Sequence, residues 1–137
     1  MNLQELKNHV DGKDFAATLA RLYGESAIGE QRVRWHRLVA EGVRHLPDGP
    51  LALFSAPGRS ELGGNHTDHQ RGCGLAAAVP LDTIALAVPR ADSLVQVWAD
   101  GYPPFEVDLS VLTAQVAEKS TSAALVRGVA DFFVQHG

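Results

Sequence analysis

A short turn sequence at residues 47–50 (PDGP) divides the chain, because the spacing of apolar residues changes across it. Proline removes a backbone donor and glycine favours turn conformations, so this combination ends a helix. Before the turn, apolar residues recur at helical spacing, and after it they form short runs typical of strands. The change predicts a helical lead-in over residues 1–49, followed by a sheet and a closing helix over residues 50–137.

The strongest of three helices predicted in the first part runs from about residue 29 to residue 46. Trp35, Val39 and Val43 share one of its faces, which is therefore the face expected to be buried. The arginines of this helix are interpreted as a solvated outer surface rather than an anion site. They are Arg32, Arg34, Arg37 and Arg44.

The second part contains short apolar runs that predict strands. Residues 51–55 form one, and residues 75–79 and 83–88 form either two strands or one strand bent at Pro80. Both faces of these runs are apolar, so we expect both to be covered. Further strands are predicted at residues 94–99 and 105–109, and a last helix capped by Ser120 or Ser122, with Leu125, Val126, Val129, Phe132 and Phe133 as its buried stripe. The predicted fold class is α+β, with one small mixed sheet.

Composition limits the class of protein. A length of 137 residues, 45% apolar and 20% charged, suits one globular domain over residues 1–137. The net charge of −4 without a basic stripe argues against a nucleic-acid partner. Cys73 is the sole cysteine, so no intrachain disulfide is expected and a reducing compartment is the default. With neither a signal peptide nor a run long enough to span a bilayer, we predict a cytoplasmic protein with no membrane partner.

Residues 55–75 (SAPGRSELGGNHTDHQRGCGL) are the richest in polar side chains and glycines. A carboxylate can accept hydrogen bonds from two adjacent hydroxyls, and an arginine supplies a fixed positive charge, so the stretch suits a ligand covered in hydroxyls. Two alternatives stay open. The stretch could be a turn without function, or His66, Asp68 and His69 could ligate a metal, although no second ligand cluster stands out elsewhere. The prediction therefore includes no metal.

Several of these residues resemble the N-terminal signature of galactokinases, within the GHMP family of small-molecule kinases. The matching residues are Ala56-Pro57-Gly58-Arg59, Leu62, Gly64-Asn65-His66-Thr67-Asp68 and Gly72. With its flanks, the resemblance covers nearly the whole chain but only the first part of the enzyme. It implies the galactose-binding region of a kinase that transfers the γ-phosphoryl group of Mg-ATP to the anomeric hydroxyl of galactose.

The resemblance also implies roles for individual residues. Arg59 would lie beside the anomeric hydroxyl, where it would stabilise the catalytic aspartate and the developing charge. Asp68 would accept hydrogen bonds from ring hydroxyls, and His66 would line the same pocket. Asn65 departs from the family, which usually has a glutamate there; an amide still accepts a hydrogen bond but carries no charge.

Two further departures, Glu61 for a usual asparagine and His69 for a usual tyrosine, leave the exact sugar open. Galactose is the first expectation, with a related hexose or amino sugar behind it.

The parts of a galactokinase that bind nucleotide have no match in these residues. A glycine- and serine-rich phosphate loop and a catalytic aspartate are both expected after the closing helix. We therefore expect no cofactor in this chain and no kinase activity, although the full-length family uses Mg-ATP. The alternative is a stand-alone, non-catalytic sugar-binding or regulatory module. Surfaces that the missing part would cover are expected to lead to homo-oligomers.

Overall fold

The computed structural model describes residues 1–64 and 71–137. It divides the chain into two compact units, residues 1–89 and residues 90–137. Within the described residues, four helices and small antiparallel sheets confirm the α+β class. The elements are α1 (Leu3–Asp11), α2 (Lys13–Tyr23), a short 3₁₀ helix (Glu25–Ala27), α3 (Ile28–Gly42), β1 (Ala52–Gly63), β2 (Leu75–Ala87), β3 (Leu94–Val97), β4 (Phe105–Asp108), another short 3₁₀ helix (Val116–Glu118) and α4 (Ser122–His136).

The first unit begins with helices whose ends follow local rules. Asn2 and Glu5 form a capping box at the start of α1, in which each side chain accepts a hydrogen bond from the other's backbone amide at 2.9 Å. Gly24 ends α2 with a φ of 86°, a conformation that glycine adopts without strain. These helices bury one apolar stripe each, as the helical spacing predicts.

A single hydrophobic core joins the helices to the start of β1. Phe15 and Trp35 meet edge to face at its centre, with 5.5 Å between their ring centroids. Leu53, Ile84 and Leu86 pack against this core from the strands. The buried members are Leu6, Val10, Phe15, Leu19, Trp35, Val39 and Leu51.

Strands β1 and β2 form a long antiparallel hairpin, and this differs from the prediction. The strand predicted over residues 51–55 continues to residue 63 as β1, and β2 passes through Pro80 as one strand. The expectation that both faces of residues 75–88 are covered was wrong. Alternate residues of β2 face the helices, while Leu75 and Leu81 are 65% and 79% exposed. A two-stranded hairpin has only one face to place against one layer of helices.

The second unit consists of a small hairpin, β3 with β4, and helix α4. Val107 of β4 is buried. Thr121, rather than Ser120 or Ser122, caps α4 by accepting a hydrogen bond from the Ala124 amide. Among the described residues the strands pair in two separate antiparallel hairpins instead of the single mixed sheet expected.

The face of α4 predicted to be buried was also wrong. Leu125, Phe132 and Phe133 are each more than half exposed, whereas Arg127 is buried. The guanidinium of Arg127 donates to the Glu118 carboxylate at 2.6 and 2.8 Å, and to two backbone carbonyls. These bonds hold the polar side of the helix against its own unit. No helix among the described residues is long and apolar enough to cross a membrane.

Candidate functional site

The candidate site lies at the end of the β1–β2 hairpin that extends away from the core. Arg59 is exposed on β1, where it pairs with Ala78 of β2. It makes no hydrogen bond or ion pair with any residue that the structure describes. Because side chains alternate along a strand, Arg59 lies on the same side of β1 as Ser55. That side of the hairpin is the one that carries the helices.

The other predicted site residues fall within residues 65–70, outside the described part of the chain. Their roles in sugar binding stay predictions, as does the alternative in which three of them ligate a metal. They are Asn65, His66 and Asp68, and the metal alternative adds His69. Within residues 1–64 and 71–137, no group of three His, Cys, Asp or Glu side chains could hold a metal ion.

The two ends of this loop are brought together by the hairpin. Gly63 pairs with Leu75, and Gly64 has a φ of 106°, in the region that favours glycine. A Cβ atom at Gly64 would lie 2.6 Å from the Cys73 carbonyl oxygen, so a larger residue would also clash. On the other side of the loop, Arg71 has a φ of 60°. The loop thus starts and ends at closely spaced backbone positions.

A bulge in β2 lies opposite the Pro57-Gly58-Arg59 sequence, which is part of β1. Pro57 pairs with Asp82 but Gly58 pairs with Val79, so Pro80 and Leu81 have no partners in the ladder. Proline suits such a position because it has no amide to donate.

The bulge explains the glycine before Arg59. A Cβ atom at Gly58 would lie 2.6 Å from the Leu81 carbonyl oxygen and 3.2 Å from Cγ2 of Val79. Only glycine leaves room for the backbone of the bulge to approach this closely. Arg59 therefore follows a position whose geometry is set by the opposite strand.

Next to the bulge is a polar cluster that the sequence interpretation missed. The Asp82 side chain is 3% exposed and accepts hydrogen bonds from Tyr23 Oη at 2.5 Å, Ser55 Oγ at 2.5 Å and Arg34 Nη1 at 2.6 Å. Arg34 Nη2 also donates to the Asp82 backbone carbonyl at 2.7 Å. We call Tyr23, Arg34, Ser55 and Asp82 the Asp82 cluster. It corrects the interpretation of Arg34 as part of a solvated surface.

The cluster also changes the titration of its members. Burial by itself would raise the pKa of Asp82, but hydrogen bonds from Ser55, Tyr23 and Arg34 outweigh it and lower that pKa below its usual value. For Tyr23, burial and then the hydrogen bond to Asp82 raise the pKa of the phenol. At neutral pH the cluster thus holds an ionised carboxylate beside a neutral phenol.

One signal in the sequence points to this cluster. Asp82 interrupts an apolar strand, and a carboxylate buried in such a strand needs partners. The partners lie 27 to 59 residues away in sequence, on β1, α3 and α2. Sequence spacing alone does not bring these residues together.

A comparison with known protein families finds a match over the hairpin. The galactokinase galactose-binding signature matches residues 44–89, which include β1, β2 and the loop between them. The resemblance to galactokinases is confirmed. The chain is 39% identical over 69 residues to the galactokinase of Canis lupus familiaris, covering 48% of this chain and 18% of that protein.

Two further galactokinases show the same partial match. The Bos taurus protein is 48% identical over 46 residues, covering 34% of this chain and 12% of the relative. The Streptococcus suis (strain 05ZYH33) protein is 34% identical over 89 residues, covering 63% of this chain and 22% of the relative. The chain therefore spans less than a quarter of the length of these curated galactokinases. Resemblance beyond the matched residues stays a prediction, and no solved structure matches the chain significantly.

Proposed function

We propose that the hairpin and its loop form the galactose-binding part of a galactokinase-like sugar kinase. The observation that carries this proposal is the galactose-binding signature over residues 44–89. The structure adds support, because the one predicted site residue that it describes, Arg59, is exposed on β1, four residues before the strand ends at Gly63. An exposed guanidinium without a partner among the described residues is available to a ligand.

Within this proposal the loop supplies the sugar contacts. Asp68 accepts hydrogen bonds from ring hydroxyls, His66 lines the pocket and Asn65 accepts from a further hydroxyl. Arg59 lies beside the anomeric hydroxyl, where its charge stabilises the base and the developing negative charge of the reaction. Galactose is the proposed ligand, and Mg-ATP is the proposed cofactor of the longer enzyme only.

The first prediction tests the sugar contacts. Galactose should bind the 137-residue chain with a dissociation constant of roughly 1 mM or weaker, about −4 kcal/mol, because these residues match less than a quarter of the length of the related galactokinases. A hydrogen bond to a charged group contributes about 1.5–3 kcal/mol, so Asp68→Asn should weaken binding by about tenfold or more. Chemical-shift titration of residues 55–75 with galactose measures both affinities.

The control is Asp14→Asn, which makes the same charge change in the first turn of α2 and should leave the affinity unchanged. Equal shifts in the original chain and in Asp68→Asn would show that Asp68 is not a ligand. The absence of shifts at saturating sugar would mean that the chain does not bind galactose.

The second prediction concerns catalysis. Phosphoryl transfer depends on positioning and charge neutralisation by a nucleotide site, and the sequence has no glycine- and serine-rich phosphate loop. The chain incubated with galactose and Mg-ATP should therefore form no galactose 1-phosphate. Turnover of about 1–100 per second, typical of kinases, would contradict this.

A non-catalytic sugar-binding module is the second candidate, because the galactose-binding signature over residues 44–89 fits either protein. The two candidates differ in the reading frame after codon 137. A frame that continues into a phosphate loop supports the kinase, and a stop codon supports the module.

A further inference from the structure

The Asp82 cluster connects the helices of the first unit to the hairpin at one strand position. Tyr23 is the last residue of α2, Arg34 lies in α3 and Ser55 lies in β1, and all three donate to the same carboxylate of β2. Arg34 also donates to the Asp82 carbonyl, so both the side chain and the backbone of this residue are held.

This position is where the bulge begins. Asp82 pairs with Pro57, and the preceding residue, Leu81, directs its carbonyl oxygen at Gly58. Gly58 then pairs with Val79 and Arg59 with Ala78. These hydrogen bonds hold Asp82, the last paired residue of β2 next to the bulge. Its partner in β1, Pro57, is two residues before Arg59.

The placement of the bulge determines which residue of β2 lies opposite Arg59. Strand β1 continues through this point without an extra residue, so Arg59 stays on the side of Ser55, but the two unpaired residues of β2, Pro80 and Leu81, make Ala78 its partner. Beyond the bulge the hairpin has little apolar cover, since Leu62 and Leu75 are each 65% exposed. Packing therefore constrains the far end of the hairpin only weakly. The Asp82 cluster is the contact between the hairpin and the helices that lies next to this end.

We propose that Asp82 is the positioning residue for Arg59. Held by Arg34, Tyr23 and Ser55, it sets the bulge, and the bulge sets the pairing of Arg59 with Ala78 and so the position from which Arg59 meets its ligand. That this ligand is a sugar rests on the function proposed above. A site residue must be held within about 0.5 Å of its productive position, so a displaced bulge weakens binding although Asp82 does not touch the sugar.

The experiment compares Asp82→Asn with Val10→Ala in the 137-residue chain. Val10 is fully buried in α1, so its truncation destabilises the same unit without touching the cluster. Two quantities are measured in the folded state: cross-strand NOEs between residues 58 and 79 and between residues 59 and 78, and the affinity for galactose. Asp82→Asn should lose or weaken the NOEs and bind galactose about tenfold more weakly, whereas Val10→Ala should retain both.

NOEs and affinity in Asp82→Asn equal to those of Val10→Ala would overturn the proposal, because Asp82 would then only stabilise the fold. If Asp82→Asn does not fold, Ser55→Ala is used to test the proposal, because it removes one of the donors to Asp82. This variant should weaken the same NOEs. Retention of all of these NOEs in Ser55→Ala would count against the proposal. If the original chain does not bind galactose, the proposed function fails, and the NOE comparison still decides whether Asp82 sets the bulge.

Discussion

At the scale of single residues, Asp82 is the side chain whose environment departs most from what the sequence predicts. A carboxylate that is 3% exposed is costly unless it is paired and hydrogen-bonded. Arg34 supplies the opposite charge and two hydroxyls supply the remaining donors. The apolar strand therefore tolerates an aspartate because three other elements bring polar groups to it.

The third prediction is a pH dependence of stability caused by this residue. Asp82→Asn should lower the free energy of unfolding at pH 7 by about 2–3 kcal/mol, through the loss of charged hydrogen bonds. Because the pKa of Asp82 is lowered in the folded chain, its stabilisation is complete above the unfolded value of about 3.9 and is lost as pH falls through the folded value. Urea unfolding of both chains between about pH 3 and pH 7 should show their difference shrinking below about pH 4.

A matched control is Asp11→Asn, whose carboxylate is 63% exposed and bonds His36 at 2.9 Å. An exposed pair contributes at most about 1 kcal/mol, so this variant should change stability little. If the stability difference between the original chain and Asp82→Asn grew at low pH, the sign assigned to the pKa shift would be wrong.

At the scale of elements, the hairpin depends on a glycine opposite the bulge. The fourth prediction is that Gly58→Ala destabilises the first unit by about 1–3 kcal/mol, the usual cost of overpacking. The clash is with a backbone oxygen, which has no rotamer to change. Gly63→Ala, in the same strand, meets nothing within 4 Å and should be neutral or slightly stabilising. Thermal unfolding of the two variants measures the difference, and equal melting temperatures would contradict the close approach.

In helix α4 the spacing of apolar residues does not predict which face is buried. Its apolar residues predict a buried stripe, but hydrogen bonds of Arg127 to Glu118 and to backbone carbonyls orient the helix instead. These bonds also raise the pKa of Arg127 and lower that of Glu118, so both groups stay ionised at neutral pH.

At the scale of the whole molecule, both units expose large apolar side chains. Leu81 is 79% exposed in the first unit, and Leu125 and Phe133 are 73% and 63% exposed in the second. Exposed apolar patches of more than a few hundred Å² usually bind a partner.

The fifth prediction is that the chain self-associates through these surfaces. Light scattering should show a mass that rises with protein concentration, and Leu81→Ser or Phe133→Ser should reduce the rise. Val33→Ser is the control, because Val33 is similarly exposed, at 69%, but lies on α3. A clean monomer at high concentration would count against self-association.

Local propensity and the spacing of apolar residues predict the helices, the positions of the strands and the α+β class. The resemblance to galactokinases is equally visible in the sequence, since it rests on residues that are close together in the chain. Three features become visible only in the folded chain: residues 55–63 extend a strand, α4 buries Arg127, and Asp82 joins three elements at the bulge. Hydrogen bonds between residues far apart in sequence decide such features, and no local pattern records which distant donor reaches a given acceptor.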